Sequence, residues 1–155
     1  MEKMPNSFIV YRIVESEFAH LLASGKTNRW NFRKNYVLYT AQSRSLATLE
    51  NLCRLSGFPI KDYVCLEITL DLTLASIQTV VKENLPNDWQ TLNGMYACQQ
   101  IGQSWYLEKK DLILKVPSVV VPDEYNFLIN TEHPHFNNSV HIKKSEPYLW
   151  DNRLF

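Results

Sequence analysis

Apolar and polar positions alternate most cleanly from Asp62 to Leu70, where Val64, Leu66, Ile68 and Leu70 share one face and Tyr63, Cys65, Glu67 and Thr69 share the other. A period of two is what a pleated strand imposes, so this segment is predicted as a strand. Phe8 to Val14 and Tyr36 to Ala41, rich in β-branched and aromatic residues, are predicted as two more. Between the first two strands, Ser16 to Ala23 reads as a short helix stopped by Gly25. Ser43 or Ser45 is placed to cap a helix running to Leu55, with Ser56-Gly57 as its stop and Pro59 beyond.

The remainder is shorter in period. Ile77 to Val81 is predicted as a brief strand, Pro86 to Trp89 as a turn or helix start, and Tyr96 to Lys109 as a helix. Strands are then expected at Leu112 to Val116, Val119 to Val121, Tyr125 to Ile129 and Val140 to Lys143, punctuated by prolines. Strands outnumber helices without regular βαβ alternation, which points to an α+β fold with a mixed sheet. With 155 residues and no repeat, low-complexity tract or charge block to mark a linker, residues 1–155 are expected to form one domain.

Composition narrows the function classes. Sixteen basic residues balance sixteen acidic ones, so gripping nucleic acid or an anionic membrane is not expected to be the main task. Cys53, Cys65 and Cys98 are odd in number and form no Cys-x-x-Cys pair, which argues against a disulfide framework or zinc ribbon and for a reducing compartment. The start of the chain, Met1 to Ser7, is polar, and the apolar run behind it is broken by Arg12, unlike a secretory signal. No stretch approaches the ~18 apolar residues of a bilayer span. A cytoplasmic protein without membrane contact is expected.

Four glycines, Gly25, Gly57, Gly94 and Gly102, are too far apart for a dinucleotide-binding Gly-x-Gly-x-x-Gly turn or a P-loop. Any nucleotide phosphate must therefore be held by side chains or isolated amides, which directs attention to arginine. Arg29 lies in the polar loop Thr27-Asn28-Arg29-Trp30-Asn31, and its planar fork suits pyrophosphate or carboxylate. The alternative for Arg29 is a surface residue stacked on Trp30. On the helix after Ser43, Glu50 falls about 40° from Leu46 at 100° per residue, on the apolar side. An inward carboxylate either pairs with a core arginine or lines a cleft. Glu132, His133, His135 and His141 invite a metal reading, but Pro134 breaks helical ligand spacing and no cysteine is near, so no metal is assigned.

Arg29, Tyr39 ten residues on, Glu50 eleven further, and later Val116-Pro117-Ser118 followed by Glu124 to Asn130 form an ordered series. With Tyr11-Arg12-Ile13, Leu38-Tyr39-Thr40-Ala41, Leu85-Pro86 and Trp89, Ile101-Gly102 and Trp105, and Asn130 to Pro134, this resembles the RES-domain family over nearly the whole chain. Thr27 and Asn28 stand where that family commonly has glycine, and Phe32 to Asn35 lacks the Pro-Gly often found before the tyrosine strand. Asn28 is a residue type that tolerates positive φ.

The resemblance implies a split sheet with flanking helices, similar to ADP-ribosyltransferases, and a toxin of a type II toxin–antitoxin system that causes growth arrest. Its activity would be that of an NADase or glycosyltransferase on NAD⁺, cleaving the nicotinamide–ribose bond by phosphorolysis or hydrolysis. NAD⁺ is then substrate rather than cofactor, and phosphate a co-substrate. The site would comprise Glu50 stabilising the ribosyl cation or holding the ribose hydroxyl, Arg29 on phosphate, Tyr39 against nicotinamide or ribose, Trp30 as a substrate-binding neighbour of Arg29, Ser118 bonding substrate or orienting Glu50, and Asn126 as a further contact. Implied partners are an Xre-type helix-turn-helix antitoxin, which would supply any DNA contact, and a second copy in a homodimer.

Two other readings stay open. The same site could transfer ADP-ribose to a protein, as a mono-ADP-ribosyltransferase does, or the chain could be a catalytically weak binding module acting mainly in the antitoxin complex. Against the second, Arg29, Tyr39, Glu50 and Ser118 are all present.

Overall fold

β1 (Ser7–Glu15) and β3 (Tyr63–Asp71) lie antiparallel over nine register pairs, from Ser7 opposite Asp71 to Glu15 opposite Tyr63. The computed structural model describes residues 6–155; Met1 to Pro5, the first part of the start read as no leader, lie outside it. β7 (Val140–Tyr148) runs along the outer edge of β3. A second half-sheet consists of β2 (Val37–Ala41), β6 (Tyr125–Asn130), β5 (Ile113–Pro117) and β4 (Ile77–Thr79), antiparallel except for the β4–β5 pair.

The two halves form one seven-stranded mixed sheet in the order β4-β5-β6-β2-β1-β3-β7, as expected of an α+β fold. They meet through a single register pair, Tyr11 opposite Ala41. Where the ladder would otherwise continue, Arg12 Nη1 donates to the Tyr39 carbonyl at 3.0 Å, so a guanidinium bridges the separated strands. This is the split that the resemblance implies, and it opens the sheet at its centre.

Helices flank both faces. α1 (Arg44–Leu52) is capped by Ser43, whose Oγ accepts from Leu46 N at 3.1 Å, and buries Leu46 and Ala47 against Ile13, Ala41, Cys65 and Trp150. α2 (Met95–Glu108) covers a core of Trp30, Trp89, Trp105, Leu114, Val116 and Leu128. α2 approaches so closely that a Cβ on Gly102 would collide with the Trp30 carbonyl oxygen, which is why only glycine fits there. α3 (Phe136–Ser139) is a single turn before β7. Among the described residues no helix is long and apolar enough to cross a membrane.

Apart from shifts of one to three residues at element ends, such as α1 stopping at Leu52 and not Leu55, three predicted elements differ. Ser16 to Ala23 is a 3₁₀ turn over Ser16–Phe18 and then non-helical, because Ala19, Leu21 and Ala23 point inward at a spacing of two, not the three or four of a helix. Val119 to Val121 is a turn, since the amides of Val120 and Val121 donate to Ser118 Oγ at 3.1 and 3.2 Å instead of to a strand. β7 extends five residues past Lys143, through Pro147, which an edge strand tolerates. Asn28 keeps a negative φ; the left-handed positions of its loop are Gly25 and Lys34.

Candidate functional site

α1 and the turn after β5 come together at Glu50. Ser118 Oγ donates to Glu50 Oε1 at 2.7 Å, and Asn126 Nδ2 donates to the same oxygen at 2.8 Å. Ser118 is fully buried at 0% exposure, and its hydroxyl is saturated: it accepts from two backbone amides and gives its one proton to the carboxylate. That arrangement suits an ionised acceptor. Glu50 is half-buried and has no arginine partner, so the core ion pair considered from the sequence is not formed among the described residues. Oε2 carries no hydrogen bond to them.

Glu50 and Asn126 line a cleft of about 840 Å³ that follows the split in the sheet. Tyr11, Arg12 and Tyr39 form its floor, Asn51 and Arg54 the α1 side, and the 20–28 segment the opposite wall. Ser118 stands behind Glu50. The segment that fails to be a helix is thus a wall of the cleft, with Phe18 and Leu22 exposed near its mouth.

Arg12 is the electrostatic anomaly. Burial, and then the nearby positive charge of Arg54, draw its pKa down from the usual guanidinium range to about 10. Its Nε is buried without a hydrogen-bond partner, and neither Arg12 nor Arg54 forms an ion pair with a described residue. Two like charges and an orphan donor in one cleft are unfavourable together, and an anion would relieve them. Asn126 Oδ1 is likewise buried without a partner.

Tyr39 presents its ring to the cleft while its hydroxyl is engaged behind it, donating to Asn31 Oδ1 at 2.6 Å and accepting from Trp30 N at 3.2 Å. Burial pushes the phenol above its usual range, so it stays protonated. Glu50, Ser118, Asn126 and Tyr39 are therefore brought together. Arg29 and Trp30 are not. Arg29 Nη1 donates to the carbonyls of Trp89 at 2.7 Å and Thr91 at 3.1 Å, and Nη2 to that of Gln90 at 3.4 Å, while the Trp30 ring is buried under α2. Neither lines the cleft. Spacing alone cannot tell a fork that meets phosphate from one that meets carbonyls.

The residues the sequence reading missed are Arg12 and Arg54. A charge inside the apolar run Phe8 to Val14, and an arginine one helical turn beyond Glu50, were the available signals. As for a metal, His133 Nε2 bonds the Lys110 carbonyl at 3.2 Å and Nδ1 accepts from His135 N at 3.0 Å, so both ring nitrogens are occupied. Among the described residues no cluster of three His, Cys, Asp or Glu is placed to hold a metal.

The RES domain matches residues 9–151. A "Prs ADP-ribosylating toxin" of Sphingobium sp. is 34% identical over 128 residues, covering 81% of this chain and 79% of that protein. A "Toxin Res" of Yersinia enterocolitica is 28% identical over 155 residues, covering 94% and 99%. In fold, the chain is similar to a chain in the crystal structure of the M. tuberculosis MbcT-MbcA toxin-antitoxin complex, with a TM-score of 0.73 at 15% identity, covering 92% of this chain and 84% of that one. The match spans the split sheet, α1 with Glu50, and the turn with Ser118: the chain belongs to the RES-domain family.

Proposed function

We propose that this protein is the toxin of a toxin–antitoxin pair and that it cleaves the nicotinamide–ribose bond of NAD⁺. The observation that carries the reading is a carboxylate held on one oxygen by Ser118 and Asn126, facing a cleft in which Arg12 and Arg54 form no ion pair with a described residue. An acid next to an anion-binding pair is what a dinucleotide requires: negative charge at the ribosyl centre and positive charge at the pyrophosphate.

The chemistry follows from those placements. The C1′–N bond breaks and its electron pair passes to the pyridinium nitrogen, so nicotinamide departs neutral and needs no strong general acid. Positive charge grows on C1′ and the ring oxygen, as in glycoside cleavage. Glu50, fixed in place before reaction, stabilises that charge or holds the ribose hydroxyl, and preorganised groups of this kind are worth about 10² to 10³ in rate. Tyr39 offers a neutral aromatic face for nicotinamide or ribose. Arg12 and Arg54 take the phosphate-holding role that the sequence reading gave to Arg29. Phosphate or water then adds its oxygen to C1′, water losing its proton to solvent.

A second reading has a specific support, the name of the Sphingobium relative, an ADP-ribosylating toxin. Here a protein side chain attacks C1′ in place of phosphate or water. Incubation of the purified chain with adenine-labelled NAD⁺, with and without phosphate and with cell lysate, separates the outcomes. Free ADP-ribose or its 1″-phosphate is expected. Label recovered only on protein would replace cleavage by transfer, and intact NAD⁺ in all three would overturn both.

A further inference from the structure

Arg29 lies outside the cleft, and its guanidinium hydrogen-bonds three successive carbonyls of one loop. The carbonyls of Trp89, Gln90 and Thr91 converge on the fork at 2.7, 3.4 and 3.1 Å. Among the described residues Arg29 forms no ion pair, so the fork acts as a cap that fixes three successive peptide units. The Trp89 ring anchors the same loop in the core under α2.

From this fixed loop the exposed Gln90 side chain reaches across and donates Nε2 to the Val119 carbonyl at 3.2 Å. Val119 lies in the turn whose next two amides bind Ser118 Oγ. Ser118 in turn donates to Glu50. The bonds form one continuous path from Arg29 through the 89–91 loop, Gln90 and the 118–121 turn to the carboxylate.

We infer that Gln90 is a positioning residue: anchored by Arg29, it holds the 118–121 turn in the register that lets Ser118 aim Glu50 into the cleft. The inference rests on the reading of Glu50 as the charge-stabilising group, and it gives Arg29 a place in the reaction without substrate contact. Gln90 does not line the cleft, so its influence falls on the alignment of Glu50 and not on substrate affinity.

The test uses Gln90→Glu, which keeps the shape and removes the donor, and Gln90→Arg, which keeps a donor. Both lie at an exposed position, so the core is undisturbed. Amide hydrogen exchange read at Val120 and Val121 is expected to speed up roughly threefold to tenfold in Gln90→Glu, the worth of about one hydrogen bond, and to stay near wild type in Gln90→Arg. Nicotinamide release from NAD⁺ should show kcat lowered by a similar factor in Gln90→Glu with KM unchanged, and no further loss when Gln90→Glu is added to Ser118→Ala. Unchanged exchange at both amides overturns the relay whether or not NAD⁺ is cleaved. Faster exchange with no NAD⁺ cleavage by wild type would leave the relay standing and remove the NAD⁺ reading. An additive loss in the double variant would also overturn the relay.

Discussion

Ser118 and Glu50, 68 residues apart in sequence, share a 2.7 Å hydrogen bond in which the serine is wholly buried and the glutamate faces the cleft. The serine's acceptor capacity is used by two backbone amides, so its proton has one destination. The bond therefore sets the direction of the carboxylate. Replacing Ser118 by alanine removes a charge-assisted bond and strands two turn amides, costing about 1.5 to 3 kcal/mol for the bond alone. Nicotinamide release should fall roughly 10- to 100-fold, with a lowered melting temperature seen in the same preparation by calorimetry.

Arg12 sets function against stability. Its pKa is depressed from the usual guanidinium range to about 10, so the folded state binds the proton less tightly than the unfolded chain does. The charged form is penalised at all pH below about 10, and the contribution of Arg12 alone to stability rises as pH increases above about 10, where the unfolded chain still carries the proton. Arg12→Met, similar in length and uncharged, removes that penalty together with the bond to the Tyr39 carbonyl, so at pH 7 it should be no less stable than wild type despite losing the bridge between β1 and β2. The same variant should lose affinity for ADP-ribose at least tenfold. Chemical denaturation and calorimetric titration check the two halves, and a destabilised variant with normal affinity would contradict both.

Binding through Arg12 also predicts a pH limit. The guanidinium remains charged across the neutral range and releases its proton near pH 10, so affinity for a pyrophosphate ligand should be flat from pH 6 to about 9 and decline above it. Tyr39, raised by burial, stays neutral throughout and contributes no step in this range. Titrations with ADP-ribose at several pH values, with the fold monitored by circular dichroism, measure the profile.

Gly102 is where α2 meets the loop that supports Tyr39. A Cβ there would strike the Trp30 carbonyl oxygen, and the Trp30 amide is what Tyr39 accepts. Gly102→Ala should destabilise the protein by about 1 to 3 kcal/mol despite alanine's better helix propensity, because overpacking outweighs a helix gain of about 1 kcal/mol. A thermal melt decides the sign.

The alternating strand β3 and both long helices are legible because their local patterns agree with their tertiary environments. β3 alternates strictly since its two faces meet different cores, with Leu66, Ile68 and Leu70 in one and Cys65 in the other. α1 announced itself through Ser43 and through an acid on its apolar side. What escaped was non-local. The Val119 to Val121 run has strand composition, but Ser118 captures its amides, a competition that hydropathy does not display. Arg29 and Arg12 carry the same side chain, and only the divergence of β1 from β2 puts one of them in the cleft and leaves the other to backbone carbonyls. The Ser118 and Asn126 contacts with Glu50 depend on the β5–β6 hairpin lying beside α1, which no spacing encodes.

The account turns on Glu50 acting in the bond-breaking step and not in substrate binding. Single-turnover nicotinamide release by wild type and by Glu50→Gln, with NAD⁺ affinity measured in parallel, tests this most directly. The expected result is a rate lowered at least about 10²-fold in Glu50→Gln, with affinity within a few-fold of wild type and an unchanged melting profile. A wild-type rate in Glu50→Gln, or a loss explained wholly by weaker NAD⁺ binding, would contradict it.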